Sequence, residues 1–149
     1  MAHAQQQVLD LIKSILVAGG TAAGARVFVD RVDALQPHEL PAIQVDEAPD
    51  GEQIQPYTIH GVDQRELTVT VNCVVAHGSA AAEQARDLGL AVEKLLSGSQ
   101  PLAAMCQLGV QIGSSRLVIS GEQDRLMAER EQAWRFSYLA RSADPSLIL

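Results

Sequence analysis

"RELTVTVNCVVAHG", residues 65–78, alternates more cleanly than any other stretch of the chain. Leu67, Val69, Val71, Cys73 and Val75 fall on one side. Thr68, Thr70 and Asn72 fall on the other, until Val74 and Ala76. Successive side chains of a strand point to opposite faces, so a period of two sorts them into two surfaces. β-Branched residues dominate the run and suit a pleated, half-buried surface. The spacing predicts a strand with one strongly apolar face and one mixed face. The apolar face needs a cover of helices, and the mixed face should stay partly wet.

The covers lie on both sides of this strand. Downstream, in "AAAEQARDLGLAVEKLLSG", Ala81, Ala85, Leu88, Val92, Leu95 and Leu96 form a helical stripe, with Ser79 as the expected cap and Gly98 as the stop. Upstream, Val8, Leu11, Ile12, Ile15 and Leu16 recur at helical spacing within Gln5–Val17, and Gly19 and Gly20 end that helix. Shorter alternations predict strands over 25–32 and 42–47, with Pro41 at the start of the second. Residues 48–64 carry two Pro and two Gly and read as a long loop, of which Ala48–Gly61 is expected to be mobile in a free subunit and ordered in an assembly. "QPLAAMCQLG" holds one short helical turn, and a weaker strand follows near Arg116–Ser120. The final strand runs roughly over Ala128–Ala140, long enough that a bulge or a projecting end is expected. Together these elements predict one α+β domain over residues 1–149. It is a two-layer sandwich, with two amphipathic helices on one face of a mixed, mostly antiparallel sheet.

Composition narrows the function. Hydrophobic residues make up 47%, ordinary for a folded domain, and the formal charge is −7. An acidic chain lacks the basic face that a nucleic-acid coat or an anionic membrane would require. Cys73 and Cys106 sit in apolar runs and read as small buried side chains. The N-terminus lacks the basic start of a leader peptide, and no apolar run is long enough to span a bilayer, so the expected setting is the cytoplasm.

Motifs for chemistry are weak. "GGTAAG", residues 19–24, follows a helix and enters a strand, the reverse of a phosphate loop. The acids at Asp46, Glu47, Asp50 and Glu52 miss calcium-loop spacing, since Ala48 and Tyr57 fall where oxygen ligands belong. His3, His38, His60 and His77 lie in separate elements, without the convergent ligands of a zinc site. Gly78-Ser79-Ala80 is no nucleophile elbow. We therefore expect no catalytic residue, no metal and no cofactor.

One feature of composition stands out. Trp134, Phe136 and Tyr138 occupy alternate positions of "EREQAWRFSYLARSADP", in a chain with few aromatics. They can fill the core beneath the helices, or reach a subunit interface, where Trp, Tyr and Arg are enriched.

The order of "ARVFVD", "LPAIQV", "RELTVTVNCVVAHG", "AAEQARDLGLAVEKLLSG" and "ISGEQDRLMAEREQAWRFSYLARS" resembles the tail-terminator proteins of long-tailed bacteriophages, the minor tail protein U-like family. The resemblance covers most of the chain. It implies a non-enzymatic structural protein that forms a hexameric ring on the head-proximal end of the tail tube. Such a ring stops tube polymerisation and offers a surface for head attachment. The implied partners are further copies of the chain, the tail-tube protein and a head–tail connector protein. DNA only passes through the lumen, no membrane is involved, and the implied location is the virion after assembly in the host cytoplasm. Two other readings stand beside it: a connector or completion protein of the phage neck, and a small-molecule-binding α+β domain. Candidate interface residues are Asp50, Glu52 and Tyr57 in the predicted loop. Near the start of the last strand they are Arg125, Glu129, Arg130, Glu131 and Trp134.

Overall fold

The computed structural model describes residues 2–57, 60–120 and 127–149. Three helices and five strands follow in the order α1 (Ala4–Ala18), β1 (Val27–Val29), β2 (Ala42–Pro56), β3 (Val62–Ala76), α2 (Ala81–Ser97), α3 (Gln100–Met105), β4 (Gly109–Ser120) and β5 (Met127–Arg141). The strands make one sheet in the order β1-β2-β3-β5-β4. β1 runs parallel to β2, and every other pairing is antiparallel. This is the expected α+β sandwich with a mixed sheet.

β3 lies at the centre, as its alternation requires. Arg65, Leu67, Val69, Val71, Cys73 and Val75 are buried on the helix side. Register continues that layer across the sheet: Val45, Val71 and Gln132 lie side by side, as do Val69, Trp134 and Ile112, and Leu67, Phe136 and Val110. α2 packs on β3, β4 and β5, and α1 packs on β1, α2 and α3. The stripes read from the sequence supply the cover: Val8, Ile12 and Leu16 from α1, and Ala85, Leu88, Val92 and Leu96 from α2.

The aromatics belong to this core. Trp134, Phe136 and Tyr138 are fully buried, with Trp134 and Phe136 stacked at 6.1 Å between ring centres. A buried indole N–H needs an acceptor. Trp134 Nε1 donates to Gln132 Oε1 at 2.9 Å, and Gln132 Nε2 donates to the Gly89 carbonyl of α2 at 3.0 Å. That chain of two bonds ties β5 to the helix above it. Gly89 permits the approach, because a Cβ there would stand 3.0 Å from Gln132 Nε2.

Several boundaries differ from expectation. The predicted loop at 48–64 is mostly strand, since β2 continues to Pro56 and pairs with β3 out to Pro56–Asp63. An irregularity between Glu47 and Glu52 absorbs the extra residues, with Gly51 at φ 64°. That break interrupts the alternation and hides the strand from a period search. β5 itself is regular against β3. The bulges fall instead in its neighbourhood, in β2 and at Gly113 of β4. β1 is short because Asp30 turns to φ 52°. Ala80, not Ser79, is the N-cap of α2, with no side-chain hydrogen bond.

Candidate functional site

The face of the sheet away from the helices divides into two parts. At one end residues 30–41 fold across it. Leu35, Ala42 and Val74 form a small second core, with Phe28, Leu40 and Met127 packed against it. Arg31 lies 4.5 Å over the Phe28 ring and pairs with Glu39 at 2.6 Å. The Glu39 carboxyl accepts from Arg31 and from the Gln36 backbone N–H, which together lower its pKa to about 2. Nearby, Asp46 is raised above the usual carboxylate range by burial and by Asp30.

The remainder of that face has no helix over it among the described residues. Gln64, Glu66, Thr68, Thr70 and Asn72 of β3 point there, flanked by Gln53 and Gln55 of β2 and by Ala133, Arg135 and Ser137 of β5. Asp50, Gln53, Glu66, Thr68, Gly113, Ser114, Ala133 and Arg135 line a shallow depression of about 440 Å³. Beside it a second, of about 220 Å³, runs along Gln53–Gln55, Gln64 and Glu66. The surface is broad, polar and of mixed charge.

The distal half of the β2–β3 hairpin, which stays paired with β5, continues this face, and a buried polar knot ties it to α1 and β5. The Glu52 carboxylate accepts from Arg65 at 2.9 Å and from Gln5 of α1 at 3.0 Å, and it also accepts from the Tyr138 hydroxyl. Arg65 reaches Asp63 at 3.4 Å, and Asp63 accepts from Ser142 at 2.8 Å. Glu52 and Arg65 side chains are only 3% and 8% exposed, so the ion pair stands out of water. Burial and the Glu52 carboxylate raise the Tyr138 pKa above its ordinary value.

The candidates read from the sequence separate on this frame. Asp50 is exposed at the edge of the larger depression, and Tyr57 is half-buried just past the end of β2. Glu131 is on the open face and pairs with Arg116 at 3.2 Å. Glu129 is opposite Val74 and Val118 in the ladder. Three expectations are corrected. Trp134 is core, not interface, because its register places it under α2. Glu52 faces inward, because the break after Glu47 turns it toward Arg65. Arg130 lies on the helix side opposite Cys73, with its stem against Gly89. Arg125 lies outside the described residues. Sequence reasoning missed Arg135, Glu66 and Gln53. The signal of Glu66 and Arg135 was the polar half of the β3 and β5 alternation, which apolar periodicity does not mark, and Gln53 lies beyond the break in β2.

Among the described residues no group of three or more His, Cys, Asp or Glu could hold a metal ion, and no helix is long and apolar enough to cross a membrane. No protein-family model matches the chain, and no curated protein matches it.

Proposed function

We infer that the chain is a structural assembly protein of the tail-terminator kind, which closes as a hexameric ring on the head-proximal end of a phage tail tube. The ring stops further tube growth and presents a new surface to the head-side connector. The sequence resemblance supplies the specific role. The observation that carries an assembly role is the polar face of the sheet, which no helix covers among the described residues and which the distal β2–β3 hairpin continues. Its depressions are shallow, and its polar groups are spread across three strands. Small-molecule sites instead enclose most of their ligand in a cleft with a few convergent polar groups. A broad face with acids and an Arg suits a protein partner, where complementary charge sets register and on-rate. Ring closure then lets many weak contacts act together. The knot at Glu52 fixes the distal part of β2 before the partner arrives, which lowers the ordering cost of binding.

Electron microscopy of tails assembled with and without the protein tests the reading. Without it, tails should be overlong and unjoined to heads. Tails of uniform normal length, still joined to heads in its absence, would rule the terminator role out.

A further inference from the structure

The two edges of the sheet are built differently. On the β2 side the outer edge is broken by the irregularity at Glu47–Glu52 and carries Pro49 and Pro56. Prolines and bulges are the usual means of blunting an edge against pairing with another chain. The β4 edge lacks these devices beyond Gly113. Residues 114–120 pair with β5 without interruption, and among the described residues nothing pairs with their outer side. The stretch "SSRLVIS" has no Pro, and its one charge, Arg116, is occupied by Glu131.

Charge singles out the same side. Between Lys94 and Glu122 the sequence has one charged residue, Arg116, in a chain of net charge −7. This stretch forms α3 and β4. Two copies meeting on this side bring only Arg116, already paired with Glu131, into contact, so the −7 charge of each chain opposes the approach least here. Interface cores are depleted of charged residues, as this stretch is. Ile119 is 51% exposed on this edge, and Leu117 packs only partly against the core.

We propose that the β4 edge is a two-fold docking surface for a second copy of this chain, pairing antiparallel about Leu117. In that register Ser115 faces Ile119 of the second copy and Arg116 faces Val118. Centring on Arg116 instead would set two cations directly opposite, which is unfavourable. Register about Leu117 also keeps both helix layers on one side, so the two sheets continue into one. Leu117 and Ile119 of each copy then bury one another beside α2. Such an interface is small and transient in size class. It is closed, because an isologous contact uses up the edge that makes it. The proposal does not rest on the tail-terminator reading and holds for the isolated protein.

Sedimentation of the purified protein from about 1 μM to about 200 μM tests it, because a weak dimer dissociates on dilution. A monomer–dimer equilibrium is expected. Ile119→Lys and Ser115→Lys, both at exposed positions, should each weaken the dimer at least about tenfold. Leu90→Lys, on the outer face of α2, should leave it unchanged. Having two edge variants covers the case where one fails to fold. Leu117→Cys should form a disulfide-linked dimer on mild oxidation, since opposed antiparallel residues stand about 4.5–5.5 Å apart at Cα, within disulfide reach. A monomer across the whole range overturns the proposal. So does a dimer indifferent to both edge variants, or one in which Leu117→Cys does not cross-link.

Discussion

Glu52 carries more of the molecule than its sequence setting suggests. One carboxylate on β2 takes donors from α1, β3 and β5. Removing one partner of a buried pair leaves the other charge desolvated, at a cost of about 3–5 kcal/mol. Glu52→Ala should therefore lower stability by about that amount in urea unfolding, with Asp63 at 3.4 Å as the residual partner of Arg65. A loss below about 1 kcal/mol would show that solvent reaches Arg65 readily. The double replacement Glu52→Leu with Arg65→Met should recover part of the loss, since it removes both charges. The two thiols make a second residue-scale test. Burial pushes Cys73 and Cys106 up to about 12. A raised pKa means that the unfolded chain ionises first, so stability is complete below about pH 9 and falls as pH rises toward 12. Cys106→Ala should flatten that alkaline slope by up to about 1.4 kcal/mol per pH unit. An unchanged slope between pH 9 and 12 would show the Cys106 thiol to be as accessible as in the unfolded chain.

Elements with a single uninterrupted period were legible; interrupted ones were not. β3 and both long helices lie within a few residues of their expected spans, because each has one buried face and each buried residue repeats on schedule. β2 was cut short at Glu47, because the residues before Glu52 break the alternation, and Pro49 and Gly51 argue locally for a turn. The alternation marks β4 only near Arg116–Ser120, because Gly113 shifts its phase and residues 109–119 are all half-buried or exposed. The open face was legible as the mixed side of β3. The Glu52 knot was not, because its members lie far apart in sequence and meet only through cross-strand register. α2 provides the test of the layer as a whole. Leu88 is 3% exposed, and Leu88→Asp places an unpaired charge beneath the helix. It should cost more than about 4 kcal/mol and leave little folded protein at 37 °C. A cooperative melt within a few degrees of the parent would mean that α2 does not pack as described.

At the scale of the whole molecule the sandwich has an inside layer and an outside face with separate duties. The helices consume the apolar half of the sheet, so stability is settled on that side. The polar half is then available for contact without weakening the core. The assembly role proposed above needs that separation, because a binding face must stay soluble before its partner arrives. Arg135 is an exposed cation of this face and lines the larger depression together with Glu66 and Asp50. Reversing it should alter contact and leave folding alone, whereas reversal at Arg130 would disturb the packing under α2. We therefore expect Arg135→Glu to melt within about 1–2 °C of the parent, as surface changes of about 0.5 kcal/mol do in a chain of this size. On the tail-terminator reading proposed above, the same variant should lose capping of tube ends in an assembly reaction, giving overlong tails by electron microscopy. Glu66→Lys should do likewise from the opposite sign. Normal capping by both variants would place the tube contact elsewhere on the molecule. A folded variant that caps at low salt and fails at high salt would instead show that the charge acts through steering, since exposed pairs are screened within about 8–10 Å at physiological ionic strength.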